Sequence, residues 1–144
     1  MVQGTLGSEA RRENEKEQEE RRMKLYLSGK MTGLPDHGFP IFNAESARLR
    51  ALGYEVINPA ETQPSTDWID CIKLDLESIR ECDGIALMGN WVDSYGAIIE
   101  VMASERLQNV IFKAAEIVDH ISTFSVIPSY KIDMSKIADL LIPA

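Results

Sequence analysis

The chain has 144 residues, 44% of them hydrophobic and 26% charged, enough for one hydrophobic core without a disulfide or metal staple. Against 15 basic residues stand 23 acidic ones, a formal charge of −8 that excludes nucleic-acid polymers and anionic membranes as main partners while leaving room for a small anion held by local dipoles. No apolar run approaches the ~18 residues of a membrane span. The N-terminus is charged and no apolar stretch follows it, so a cytoplasmic chain without a secretory leader is expected.

Residues 9–22 are almost wholly charged or polar, lack Gly and Pro, and carry no apolar stripe. They read as a solvated arm, frayed or helical, or as an interaction tail. The folded domain is expected to span 23–144. Lys24 to Ser28 reads as a strand ended by Gly29, with Tyr26 and Ser28 on one face and Leu25 and Leu27 on the other. A loop over 29–40 holds Gly29, Gly33, Pro35, Gly38 and Pro40. A helix over 41–52 follows, with Ile41, Phe42, Ala44, Ala47, Leu49 and Leu52 in helical period and Gly53 closing it.

Tyr54 to Ile57 is a second strand, stopped by Asn58-Pro59. Asp67 is placed to cap a helix over 68–81 with Ile69, Ile72, Leu76 and Ile79 inward. Cys71 and Cys82 fall about three turns apart on it, too far to pair, and read as reduced, packed thiols. Gly84 to Met88 is a continuous apolar strand of the kind buried on both faces. The loop 89–94 leads to a helix over 95–106, and 109–112 form a fourth strand. Beyond 114 the pattern weakens, with a possible strand over 125–128 and helix over 134–142.

Strands alternating with helices predict an α/β fold, a Rossmann- or flavodoxin-like three-layer sandwich around a parallel sheet of four to five strands. Ligands in such sheets bind beyond the carboxyl ends of the strands. After the first strand, Ser28, Gly29, Lys30 and Thr32 can face an anion, but a plain Gly-rich turn reads equally well. After the third, Asp93 or Ser94 can cap the new helix, Gly96 leaves room in its first turn, and the unpaired amides favour an anion. Glu100, bordered by Ala97 and Val101, is either an acid suited to an early helix turn or a desolvated carboxylate. Asp75, flanked by Leu74 and Leu76, is either solvated or held over the cleft. Tyr26 is core or a donor to a carboxylate. Trp91 carries more weight than Trp68 because it lies in the loop after strand three. His37 and His120 lack metal spacing, and neither metal nor cofactor is implied.

Taken in order, Leu25-Tyr26-Leu27-Ser28-Gly29, Asn58-Pro59-Ala60-Glu61, Asp75, Cys82-Asp83 and Ser94-x-Gly96-x-x-x-Glu100 resemble the nucleoside 2-deoxyribosyltransferase-like superfamily. The likeness covers roughly 23–113 and is closest to its small phage and bacterial branch. It extends to the 2′-deoxynucleoside 5′-phosphate N-hydrolases. The resemblance implies a Glu100 nucleophile attacking C1′ of a deoxyribose, Asp75 handling the proton of the leaving base, and Tyr26 aiming Glu100. It implies Ser94 and Gly96 at a 5′-phosphate, with Ser28, Gly29, Lys30, Asp93 and Trp91 also facing a deoxynucleotide or deoxynucleoside. A homo-oligomer is implied by the same analogy.

Three positions depart from the family pattern: Lys30 where many relatives have Pro, Met102 where transferases often have Gly, and Ser94, with Asp93 beside it, where they tend to have Asp. The last favours nucleotide hydrolysis as the expected activity. Transfer between bases of nucleosides and a non-catalytic nucleotide sensor are the alternatives.

Overall fold

The computed structural model describes residues 7–13, 22–62 and 67–119. The expected elements over 125–128 and 134–142 lie outside these residues, as does most of the charged arm. Of the arm, 7–13 are helical (α1) and exposed.

Four strands, β1 (Lys24–Ser28), β2 (Glu55–Ile57), β3 (Gly84–Leu87) and β4 (Val110–Lys113), form one parallel sheet in the order β2-β1-β3-β4. Helices α2 (Phe39–Ala51), α3 (Trp68–Arg80) and α4 (Tyr95–Arg106) make the crossovers. The chain steps one way from β1 to β2 and then reverses, so the helices divide between the faces. Phe42 and Leu49 of α2 pack with Leu25, Leu27, Val56, Ala86 and Phe112. Ile79 of α3 and Ala97, Ile98 and Val101 of α4 pack with Tyr26, Ile85, Leu87 and Ile111 on the other face. This is the three-layer α/β architecture that the alternation predicts, and β1 is the strand at which the order reverses.

The core explains where the elements depart from expectation. α2 begins two residues early and takes Pro40 into its first turn, where a missing N–H costs nothing. Its buried face is Phe42, Ser46 and Leu49; Ile41, Ala44 and Ala47 are exposed. Ser46 is wholly buried, so a small residue, not an apolar one, occupies the middle of that face. In α3 the cap is as expected, Asp67 Oδ1 accepting from Ile69 N at 2.8 Å, but Ile69 itself is 56% exposed. Cys82 lies past the end of α3 and donates to Ser78 O at 3.3 Å. Burial pushes its thiol up to about 12. β4 runs one residue later than the apolar pattern suggests.

Both α2 and α4 end in Schellman motifs, in which the last carbonyls accept from a left-handed residue and its successor. In α2 the left-handed residue is Gly53 (φ 105°), with Gly53 N bonded to Arg50 O and Tyr54 N to Leu49 O. In α4 the same place is taken by Gln108 (φ 61°), with Gln108 N bonded to Glu105 O and Asn109 N to Ser104 O. A side chain there sets Cβ against the following carbonyl, and its glycine counterpart in α2 is spared that contact. Gln108→Gly should therefore raise stability by about 0.5–1 kcal/mol, net of the greater freedom of glycine in the unfolded chain. Thermal unfolding checks this, and an unchanged or lower Tm would refute it.

Candidate active site

Alternation along β1 sends Tyr26 and Ser28 to the face covered by α3 and α4, as the strand pattern predicts. Because β1 pairs directly with β3, the helix that follows β3 lies across it. Glu100, in the second turn of α4, is thus brought onto β1. It is 5% exposed, Asp75 of α3 is 8% exposed, and Tyr26 and Ser28 are 1% exposed. Tyr26 Oη donates to Glu100 Oε2 at 2.5 Å and Ser28 Oγ donates to Glu100 Oε1 at 2.9 Å. Each carboxylate oxygen therefore has its own hydroxyl donor, which is what a buried carboxyl needs to be tolerated.

The electrostatics follow from this crowding. Burial, and next the nearby Asp75 charge, push the Glu100 carboxyl up to about 8, against the lowering effect of the two hydroxyls. Asp75 is raised as well, first by burial, with hydrogen bonding to Tyr26 and Glu100 opposing. Tyr26 is raised well above the usual phenol range by burial and by both carboxylates. Two raised carboxyls side by side can share a single proton. An arrangement of this kind supplies one carboxylate and one carboxylic acid at the same place, the pair of roles that glycosidic chemistry uses.

Above this floor lies a cleft of about 750 Å³, lined by Tyr26, Asp75 and Glu100 and by Gly29, Met31, Thr32, His37, Phe39, Phe42, Pro59, Trp68, Cys71, Ile72, Ser94, Gly96 and Ala97. A second space of about 470 Å³ adjoins it, lined by Lys30, Asp93 and Tyr95 and sharing Thr32, Trp68, Ser94 and Gly96 with the first. A Cβ on Gly96 would meet Ile72 Cδ1 at 3.3 Å and lie 3.8 Å from both Ser94 Oγ and Trp68 Nε1, so the absence of a side chain keeps the passage open. A Cβ on Gly29 would come within 2.9 Å of Met88 Cβ, so glycine is needed there for close approach of the β1 and β3 ends. Among the described residues no cluster of three or more His, Cys, Asp and Glu is placed to hold a metal ion.

Of the residues singled out from sequence, Tyr26, Ser28, Asp75 and Glu100 converge at the floor, and Gly29, Ser94 and Gly96 line the cleft. Lys30 and Asp93 face the adjoining space. Ser94, not Asp93, caps α4, its Oγ accepting from Ala97 N at 3.2 Å. Trp91, which opens the 3₁₀ turn Trp91–Asp93, departs from expectation: it is 8% exposed, packs in the core with Tyr26 and Ile98, and lines neither space. The tryptophan that borders the site is Trp68, the first residue of α3. Sequence reading also passed over Asn90, whose Oδ1 accepts from Lys30 N at 3.0 Å and ties the loops after β1 and β3 together. In Asn58-Pro59-Ala60-Glu61, Asn58 Oδ1 accepts from Ala60 N, Pro59 reaches the cleft wall, and Glu61 pairs with Arg50. The lining residues His37 and Phe39 had only one signal in the sequence, their place beyond the first strand, and Phe42 read only as part of the apolar period of α2.

No curated protein matches the sequence. Nine chains among solved structures are similar to it. One is a 2-desoxiribosyltransferase from Leishmania mexicana, with a TM-score of 0.51 and 20% identity, covering 61% of this chain. This chain in turn spans 61% of that enzyme's length, and the likeness is one of fold. The model of the family described as "Domain of unknown function (DUF4406)" matches residues 23–113, which takes in all four strands, α2 to α4 and every residue of the carboxylate floor. The match extends over well more than half of the sequence, and the chain belongs to that family.

Proposed function

We propose that the chain breaks the N-glycosidic bond of a 2′-deoxynucleoside by way of a deoxyribosyl ester on Glu100 and passes the sugar to a second base. The observation that carries this reading is the carboxyl of Glu100, buried at the floor of a cleft, gripped by Tyr26 and Ser28 and set against Asp75. The fold likeness to a 2-desoxiribosyltransferase supports transfer as the fate of the sugar.

The steps use these groups directly. Glu100 rests protonated and passes its proton to the adjacent Asp75 as it engages the substrate, and Tyr26 and Ser28 donate to the carboxylate so formed. Glu100 attacks C1′, the electron pair of the C1′–N bond departs with the base, and the base takes the proton from Asp75. A nitrogen of the incoming base then attacks C1′, its proton goes to Asp75, and Glu100 is released as the carboxylate. A second reading, hydrolysis of a 2′-deoxynucleoside 5′-monophosphate, is favoured by the adjoining space. Lys30 and Ser94 line it at the start of α4, where a phosphate gains from the unpaired amides.

Incubation of one deoxynucleoside with a second base should yield a new nucleoside, read by chromatography, and Glu100→Gln should lower the rate by on the order of 10³-fold or more. Free base and sugar alone, with no new nucleoside, would support hydrolysis; absence of any cleavage from nucleosides and monophosphates would sink both. If the monophosphate reading holds, Lys30→Ala should reduce kcat/KM for the monophosphate about tenfold more than for the nucleoside. An equal effect on the two would remove the phosphate from the adjoining space.

The raised Glu100 carboxyl also makes a stability prediction. A folded pKa of about 8 against an ordinary value of 4.5 means that the folded chain keeps a proton that the unfolded chain releases. Its stabilising contribution is present at acid pH and is lost as pH rises from about 4.5 to about 8. Glu100→Gln has no such proton to lose, so its Tm should exceed that of the wild type at pH 8 by several degrees, on the order of 2 kcal/mol. The gap should narrow at pH 5. A variant less stable than wild type at both pH values would contradict the buried, protonated state.

A further inference from the structure

The loop from β1 to α2 places three consecutive residues in the left-handed region: Asp36 (φ 51°), His37 (φ 56°) and Gly38 (φ 71°). Glycine accepts that conformation freely, and Asp and His are among the few side chains that enter it often, but two in a row before a glycine are unusual. Strain of this kind persists where the surroundings impose it. Here they do. Leu34 N bonds to Met31 O, His37 N bonds to Leu34 O, and Lys30 N bonds to Asn90 Oδ1. A Cβ on Gly38 would sit 3.2 Å from Lys30 O, so the loop is folded tightly on itself.

What this backbone achieves is the placement of one side chain. His37 lines the cleft above Tyr26, Asp75 and Glu100, although its residue is otherwise exposed at the rim. Its ring is tilted 49° to that of Phe39, with centroids 5.9 Å apart.

The lining divides the cleft. Lys30, Asp93 and Tyr95 belong to the adjoining space alone, and Thr32, Trp68, Ser94 and Gly96 stand at the junction. His37, Phe39, Phe42 and Pro59 line the main cleft and not the adjoining one. A sugar with C1′ at Glu100 directs its 5′ carbon and its base to different sides. The polar side with Lys30 suits the 5′ end, and the aromatic side suits the flat face of a base.

We propose that His37 contacts the nucleobase and determines which bases the cleft accepts, Phe39 and Phe42 supplying the apolar wall and the imidazole the hydrogen-bonding edge. This rests on the reading of Glu100 as the group that takes C1′. An imidazole offers one donor and one acceptor, or two donors, at its ring edge. Its contacts discriminate among bases that differ in the groups they present, whereas stacking alone does not.

The test uses His37→Gly and His37→Asn in the full chain. Glycine removes the ring and relaxes the left-handed backbone; Asn keeps that backbone accessible and restores a hydrogen-bonding edge. The kcat/KM values are measured for deoxynucleosides of adenine, hypoxanthine, cytosine and thymine. In His37→Gly the spread between the best and worst base should shrink by about tenfold, chiefly through KM, with a Tm at or above that of the wild type. His37→Asn should recover part of the spread or reorder it. A spread within about twofold of wild type in His37→Gly overturns the proposal, while turnover by the wild type leaves the Glu100 reading standing. If the wild type turns over none of the four, nor their 5′-monophosphates, the Glu100 reading fails, and calorimetric titration with the free bases decides the contact. Affinity lost in His37→Gly and partly regained in His37→Asn keeps it; no binding to the wild type, or equal binding to His37→Gly, ends it.

Discussion

A carboxyl group almost wholly withdrawn from water has to be compensated, and the compensation of Glu100 organises the rest of the molecule. Its two hydrogen bonds reach back 74 and 72 residues, to Tyr26 and Ser28. They can form only if β1 lies next to β3, so that the helix leaving β3 crosses β1, and only if β1 alternates with the correct phase. A slip of one residue in β1 would turn Leu25 and Leu27 toward α4 and leave the carboxyl without donors. Asp75 adds to the cost. It brings a second acid to a place where burial already disfavours charge, and α3 and α4 are held against each other around that pair. Such an arrangement is poor as a device for stability and well suited to holding a proton between two groups, which is the sense in which we read it.

The parts of this legible in the sequence are those that obey a period. The alternation in Lys24 to Ser28 assigned Tyr26 and Ser28 to the correct face, the apolar run at Gly84 to Met88 marked a strand buried on both sides, which ends at Leu87, and α4 begins and ends where its cap and pattern place it. The burial of Glu100 was not legible from local pattern. An acid in the second turn of a helix reads the same whether it meets water or a strand 74 residues earlier. The ordered set of motifs pointed to it where periodicity could not.

Helix faces were read less well than strand faces, for a related reason. A strand has two faces and one bit decides between them, whereas a helix face is set by whatever packs on it. In α3 the apolar spacing puts Ile69 with Ile72, Leu76 and Ile79, yet the buried positions are Asp75 and Ile79. Ile69, in the first turn of α3, is 56% exposed. In α2 the same uncertainty set Ile41, Ala44 and Ala47 beside Phe42 and Leu49, when the buried positions are Phe42, Ser46 and Leu49. The two tryptophans follow this rule as well. Trp91 follows β3 by four residues and goes into the core, whereas Trp68, the first residue of α3, stays 49% exposed beside the cleft.

The cleft therefore has two kinds of residue, and they differ in how tightly the fold constrains them. Tyr26, Ser28, Asp75 and Glu100 are buried and mutually bonded, so a change in one is felt by the others and by the whole domain. His37, Trp68 and Tyr95 stand on loop or helix starts with much of their surface in water, and replacing them disturbs little of the core. The chemistry we propose at C1′ would use the first kind, because it needs fixed geometry and a low dielectric. The selection of a base or of a 5′ group that we propose would use the second, because those contacts can change without disturbing the floor. The left-handed pair at Asp36 and His37 belongs to neither extreme. It is a rim position whose backbone is nonetheless imposed by tight packing of the loop, and a rim residue under that much constraint is one whose direction matters to what enters.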